Sequence, residues 1–394
     1  MRIEYIIPFA IALIVSFFSS PIAKKIAVRA GAIDVPKDGR RMHQKPVALM
    51  GGLAIITGFL VSVFYIFIVY ESEELTSWLQ GISPVKIAGF FTGMIIVILL
   101  GIYDDIRPLS AKIKFPIQLI AAVIVVMTGT RIQYITVSIS SIKYVSIGET
   151  LSIILSILWI AGITNAINLI DGLDGLAAGV SGIATLSLFV VSVMMPDNSF
   201  VFAVLYVALA GAIMGFLPYN FNPAKIFIGS TGAYFLGFII AVISIEGATK
   251  AYTALTMVVS LIALGFPIVD TIFAIFRRIL KRKPIGQGDR EHIHHRLIDM
   301  GISQKYSVTI LYVVSGALGL VSILLANKGL LPAIILVVII SVFVIGGARY
   351  LAGIIGDKQE DTGGSDAEQP EPEKKVNENV KKAGAYSSGQ TEKL

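Results

Sequence analysis

The chain has 394 residues, of which 55% are hydrophobic and only 15% charged, and its mean hydropathy is +0.81. Soluble domains carry roughly 25% charged residues, so this composition excludes a soluble globular protein, which would lack the polar surface to cover itself. The absence of cysteine excludes disulfides and zinc–thiolate sites, and the net charge of +6 matters less than where the basic residues fall.

The apolar residues come in runs near the roughly 20 residues that cross a bilayer as a helix. Spans are predicted at 3–20, 52–70, 86–103, 113–130, 151–168, 176–195, 199–217, 231–245, 251–276, 306–326 and 329–350. Helices satisfy their own backbone groups in hydrocarbon, so the expected fold is all-α: a polytopic membrane helical bundle of about 11 transmembrane helices. The first run, Ile3 to Ser20, has only Arg2 before it and Lys24, Lys25 and Arg29 after it, the reverse of a secretory signal. With the N-terminus outside, alternate loops collect Lys24, Lys25, Arg29, Lys37, Arg40, Arg41 and Lys45, then Arg107, Lys112 and Lys114, then Lys225, then Arg277 through Arg296. The opposite loops hold only Lys86, Arg131, Lys143, Lys250 and Lys328. The excess of Lys and Arg marks the cytoplasmic side, and an odd number of spans then makes the C-terminus cytoplasmic.

The third span ends in Gly101-Ile102-Tyr103-Asp104-Asp105. Negative charge at a helix C-terminus opposes the dipole, and adjacent carboxylates repel. A cation or a basic substrate group would compensate, which suggests a Mg²⁺ site or a general base beside one. An ordinary solvated helix end with Arg107 as partner is the plain alternative.

The fifth span runs into Asn165-Ala166-Ile167-Asn168-Leu169-Ile170-Asp171-Gly172-Leu173-Asp174-Gly175-Leu176. Its polar residues recur every third position and so neighbour one another on a helix. The glycines let the backbone turn or approach a ligand. Carboxylates and carboxamides at membrane depth mark a site, the alternative being helix–helix glue with a Gly-rich turn.

After the seventh span, Gly229-Ser230-Thr231-Gly232 could offer backbone N–H groups to phosphate at a helix start, or form a plain turn. Asp270 is an acidic residue inside an apolar span. The last basic loop ends in His292-Ile293-His294-His295-Arg296; imidazoles beside Arg suit a diphosphate, while attraction to anionic headgroups explains the Lys/Arg run but not the histidines. His43 and Lys45 share the same polar face. From Asp357 onward large apolar residues almost vanish, which predicts a membrane-embedded domain over 1–356 and a disordered cytoplasmic tail over 357–394.

Together, Met42 through Pro46, Asp104-Asp105, the Asn165–Leu176 stretch and the His292–Arg296 loop resemble the polyprenyl-phosphate hexosamine-1-phosphate transferases of the glycosyltransferase 4 type. The likeness covers the whole membrane region. The HIHHR loop is similar to that of the branch using UDP-N-acetylglucosamine, which includes enzymes that begin wall teichoic acid or O-antigen. The resemblance implies transfer of N-acetylglucosamine-1-phosphate from UDP-N-acetylglucosamine to undecaprenyl phosphate with Mg²⁺, at the cytoplasmic face of the plasma membrane. It also implies roles. Asp104 would deprotonate or orient the lipid phosphate, and Asp105 would sit beside the metal. Asn168, Asp171 and Asp174 would line the nucleotide and metal side, and Asn220 and Lys45 would lie near the phosphates. His292, His294, His295 and Arg296 would hold the diphosphate and sugar. One departure stands out: the family normally has a metal-ligating Asp where this chain has Ser230, and often Ser where it has Ala233. A neutral hydroxyl is a poorer ligand for a hard dication than a carboxylate. A weakly active homologue that only binds lipid phosphate or nucleotide sugar is therefore the alternative. A transporter fits less well, since the polar clusters gather at one side and no internal repeat is visible. The bilayer and the two substrates are the expected partners; nucleic acid is not, and a homodimer is left open.

Overall fold

In the computed structural model, residues 3–36, 45–69, 73–135, 145–194, 200–250, 255–282 and 292–339 are described. The expectations for His43, for the end of the last span and for the 357–394 tail lie outside them.

Among the described residues eight helices are long and apolar enough to cross a membrane: α1 (Ile3–Ala30), α2 (Gly52–Val69), α4 (Pro84–Ile106), α6 (Glu149–Leu169), α7 (Leu176–Met194), α8 (Phe200–Asn220), α9 (Gly229–Lys250) and α13 (Gln304–Lys328). The predicted continuous span 251–276 is instead two helices, α10 (Leu255–Ala263) and α11 (Gly265–Leu280), bent by 76° at the break between them. Gly265 and Pro267 sit at the break, where a missing Cβ and a missing N–H weaken helix continuity. The predicted span 113–130 is α5 (Ala111–Met127), whose 17 residues extend only about 26 Å, short of a 30 Å hydrocarbon core. The last predicted span is described as α14 (Leu330–Ile339). Two short helices lie outside the predicted spans: α3 (Glu73–Gln80) and α12 (Ile293–Asp299). Two minimal antiparallel ladders, β1 (Ile33–Asp34) with β2 (Val47–Ala48) and β3 (Tyr134–Ile135) with β4 (Val145–Ser146), complete the described residues.

The predicted span 231–245, short and interrupted by glycines, proves to be the central one. Over its most apolar window α9 is 89% buried against 28% for α1, and it packs on α2, α4, α6, α7, α8 and α10. Lipid tails give no hydrophobic push between helices, so close packing at small residues holds such a bundle together. Gly52 of α2 lies so near α9 that an added Cβ would fall 2.1 Å from Gly232 Cα. Gly211 and Gly215 of α8 likewise meet the Phe9 and Leu13 carbonyls of α1, a small-xxx-small contact.

At Gly101 of α4 an added Cβ would stand 2.4 Å from Thr231 Cα. Backbone meets backbone there, so no side chain can yield. Gly101→Ala is expected to part α4 from α9 and to destabilise the protein by about 1–3 kcal/mol, read as a lower Tm in detergent; an unchanged Tm would refute this packing.

Candidate active site

The ends of α4, α6 and α8 and the starts of α2, α7 and α9 meet at one end of the bundle. Short backbone bonds knit them: Gly51 and Gly52 N–H donate to the Phe227 and Ile228 carbonyls, and Phe227 N–H donates to the Ala48 carbonyl.

Asp105, at the last turn of α4, is buried and caps α9. Its Oδ1 accepts from Ser230 N–H at 2.7 Å, and its Oδ2 accepts from Thr231 N–H at 3.1 Å and from Thr231 Oγ1 at 2.6 Å. The charge that opposes the dipole of α4 is thus matched to the favourable end of α9. Gly229, at φ 69°, leaves room for this: a Cβ would stand 2.5 Å from Asp105 Oδ2. The helix start that looked open to phosphate is accordingly filled by the protein's own carboxylate.

Asp104 is equally buried. Lys114 Nζ of α5 lies 2.7 Å from its Oδ2. Ser230 Oγ donates to the same oxygen at 2.5 Å and Tyr234 Oη at 3.3 Å, while Leu109 N–H donates to Oδ1 at 2.8 Å. The cation beside the pair is Lys114 rather than Arg107. Sequence reasoning counted Lys114 only as one of the inner-loop basic residues, and nothing in the spacing singles it out.

The Asn165–Leu176 stretch closes α6 and opens α7. Asp174 Oδ2 accepts from Asn222 Nδ2 at 2.9 Å and from Ala224 N–H at 3.0 Å, so it ties the α6–α7 turn to the α8–α9 loop. Asn222 also donates to Gln304 of α13, a link that sequence reasoning missed. The turn at Gly175 has φ 79°, a left-handed conformation that favours glycine, and its carbonyl accepts from Tyr312 Oη at 2.5 Å. Asp171, half-buried, has no hydrogen bond to its carboxylate among the described residues. Burial first, then the charges of Asp105 and Asp174, push its carboxyl well above the ordinary carboxylate range.

Asn168 is half-buried in the same turn. Asn220 is buried and spends its amide on the Ile226 carbonyl at 3.0 Å, holding the α8–α9 loop in shape. Lys45 is exposed at the edge of its described segment, and no contact among the described residues joins it to the carboxylates.

The histidines arrive on α12. Asp270, in the second turn of α11, receives Ile293 N–H at 2.9 Å and pairs with His292 Nδ1 at 2.7 Å. His294 is 1% exposed, and among the described residues neither ring nitrogen has a hydrogen-bond partner. It lies between the rings of His292 and His295, at centroid distances of 5.7 and 4.2 Å. It also lies against the Asp171 turn: a Cβ on Gly172 would fall 2.4 Å from its Nε2. His295 is half-buried and Arg296 exposed.

Burial, then the neighbouring His295 and His292, lower the His294 pKa to about 3, so the ring is neutral at physiological pH. A histidine with a depressed folded pKa contributes stability that is complete above its unfolded value, near 6.5, and lost as pH falls toward 3. The protein should therefore lose up to ~1.4 kcal/mol per pH unit over that window through this residue. Tm measured from pH 7.5 to 4.5 should fall less steeply for His294→Leu than for the parent; parallel slopes would remove His294 as the cause.

A hard dication such as Mg²⁺ takes one or two carboxylates plus substrate phosphates and water. Asp171, without a hydrogen bond and flanked by Asp105 and Asp174, fits that need. Among the described residues no three acidic or imidazole groups converge on one point. The donor set therefore fits a cation completed by phosphate oxygens, not a closed protein cage.

Known proteins share this arrangement of sequence. Residues 87–248 match the model of glycosyl transferase family 4. The chain is 39% identical over 341 residues to a probable undecaprenyl-phosphate N-acetylglucosaminyl 1-phosphate transferase of Bacillus subtilis, covering 86% of this chain and 90% of that one. It is 30% identical to the decaprenyl-phosphate N-acetylglucosaminephosphotransferase of Mycobacterium tuberculosis, over 76% of this chain and 77% of the relative. Against an undecaprenyl-phosphate alpha-N-acetylglucosaminyl 1-phosphate transferase of Thermotoga maritima the identity is 27%, over 76% and 91% of the two chains.

Proposed function

Since the chain belongs to glycosyl transferase family 4, we propose that it transfers N-acetylglucosamine-1-phosphate from UDP-N-acetylglucosamine to undecaprenyl phosphate. The products are undecaprenyl-diphospho-N-acetylglucosamine and UMP, the first lipid-linked step toward a cell-envelope polymer. The observation that carries this reading is the meeting of Asp104, Asp105, the Asp171 turn and His294 at one end of a membrane bundle.

An oxygen of the lipid phosphate attacks the β-phosphorus of the nucleotide sugar. The bond from that phosphorus to the bridging oxygen breaks, and UMP leaves with the bridging oxygen. Because a phosphate monoester near pH 7 already carries close to two charges, the attacking oxygen needs orientation more than deprotonation. Such a reaction rests on positioning and charge neutralisation. Lys114, paired with Asp104, supplies a fixed positive charge for the lipid phosphate. Neutral His294, with two nitrogens free of partners beside Gly172, can give one hydrogen bond to a diphosphate or sugar oxygen without adding charge. His292, oriented by Asp270, His295 and Arg296 stand next to it as further donors. Asp171, with Asp105 and Asp174 near it, would hold Mg²⁺. When bound, the ion would neutralise charge building on the phosphoryl oxygens.

The basic residues gather at this same end, which supports a cytoplasmic location for the site. Incubation of the purified chain with labelled UDP-N-acetylglucosamine, undecaprenyl phosphate and Mg²⁺ should give labelled lipid. A second reading is favoured by Ser230, whose hydroxyl fills the place of the family's metal-ligating carboxylate: a homologue that binds but does not turn over. Lipid product from Ser230→Asp alone would select that reading. Absence of product from both proteins would refute the transferase assignment.

A further inference from the structure

At the end of the bundle opposite the carboxylates, α2, α4, α8 and α9 enclose a cavity of about 540 Å³, within the range of ligand sites. Phe59, Phe90 and Phe202 line it, and Trp78 of α3 closes one side. It opens laterally at Phe64 and Phe91, which also line it and are 67% and 43% exposed, on helices whose outer faces meet hydrocarbon in a membrane. The chamber is thus continuous with the lipid phase.

One ion pair interrupts the apolar wall. Lys86 Nζ lies 2.8 Å from Glu246 Oε2, with side chains 24% and 13% exposed. Among the described residues the other carboxylate oxygen, Oε1, is buried without a hydrogen-bond partner, a state that costs roughly 1–3 kcal/mol when left unmet. An ammonium has three donors, and the pair uses one. The pair therefore offers both an unused acceptor and unused donors. The 18 residue steps of α4 from Lys86 to Asp104 amount to about 27 Å, so this is not an annex of the carboxylate site.

We infer that the cavity is a phospholipid site. One acyl chain enters between Phe64 and Phe91, the headgroup phosphate accepts from Lys86, and a headgroup hydroxyl or ammonium donates to Glu246 Oε1. Headgroups with both a phosphate and a hydrogen-bond donor, as in phosphatidylglycerol or phosphatidylethanolamine, meet both needs; phosphatidylcholine has no donor and meets one. This site is independent of the transferase reading and would hold for an inactive homologue as well.

The chain has two tryptophans, so Trp159→Phe leaves Trp78 as the sole reporter. Full-length protein in mixed micelles is titrated with phosphatidylglycerol or phosphatidylcholine brominated in the acyl chains. Trp78 fluorescence should fall to a plateau at low mole fraction of phosphatidylglycerol, and phosphatidylcholine should need at least tenfold more. Glu246→Gln and Lys86→Met should each move the phosphatidylglycerol midpoint at least fivefold, and Leu60→Trp, which fills the chamber, is read by native mass spectrometry. That measurement on the unchanged chain should find one retained phospholipid of the donor-bearing class, absent from Leu60→Trp. Quenching linear in mole fraction and equal for the two lipids would overturn the proposal, as would an unchanged chain that retains no phospholipid or only detergent.

Discussion

Ser230→Asp should raise turnover about 100-fold, a gain of ~2.7 kcal/mol in transition-state stabilisation, while lowering the Tm of the metal-free protein. The two effects share one cause. Ser230 now donates to Asp104 Oδ2 at 2.5 Å, within a few ångströms of Asp105, whose Oδ1 holds the Ser230 N–H. An aspartate there would turn that hydrogen bond into a carboxylate–carboxylate contact. At an effective dielectric near 20, like charges ~4 Å apart cost about 4 kcal/mol, and Lys114 can offset only part of this. A dication held by Asp171 would reverse the sign, because the new carboxylate would add a ligand for it. The measurement is a pair of melts, in EDTA and in millimolar Mg²⁺, beside the transfer assay. The parent should gain little Tm from Mg²⁺; Ser230→Asp should start lower and gain more. A variant with no greater Mg²⁺ response and no faster transfer would refute this account of position 230.

Asp105→Ala should be the most destabilising single change in the site, by on the order of 3–5 kcal/mol. Three donors at the start of α9 lose their acceptor together: the half-buried Ser230 N–H and the buried Thr231 N–H and Thr231 hydroxyl. The favourable interaction of the carboxylate with the helix N-terminus is lost with them, a further few tenths to 2 kcal/mol. Because α9 is the helix around which the others pack, fraying at its start loosens the whole end. Asp105→Asn keeps one acceptor oxygen and should recover about half of the lost Tm. Both variants should be inactive. Equal melting of parent and Asp105→Ala would remove the capping role and leave Asp105 as a residue of the reaction alone.

The two expectations meet at one physical point, which bears on how much of this site could be read in advance. Asp104-Asp105 was recognisable as an anomaly, since a sequence does not accept two adjacent carboxylates at a helix C-terminus without compensation. The compensation foreseen was a metal or a substrate; the structure supplies Lys114 for one and the N-terminus of α9 for the other. No spacing rule joins residues 104 and 105 to 230 and 231, because the pairing depends on which of several helices packs against α4. The same holds for Asp174 with Asn222 and for Asp270 with His292.

The class of molecule is legible in the residues alone: apolar runs long enough to span hydrocarbon permit only helices to cross, since every backbone group must be satisfied within the segment. So are the residues that are chemically out of place among those runs, because charge at membrane depth is expensive wherever the chain folds. Which of those residues neutralise one another follows from how the helices pack. That packing placed α9 at the centre through glycine contacts of 2.1 and 2.4 Å to hypothetical side chains at Gly52 and Gly101. It broke one predicted span by 76°, and it set His294 against the turn of Asp171, each without a side-chain hydrogen bond among the described residues. Hydropathy is a property of each segment alone. Close approach and charge pairing belong to two segments at once, and that is why they became visible only when the helices were packed.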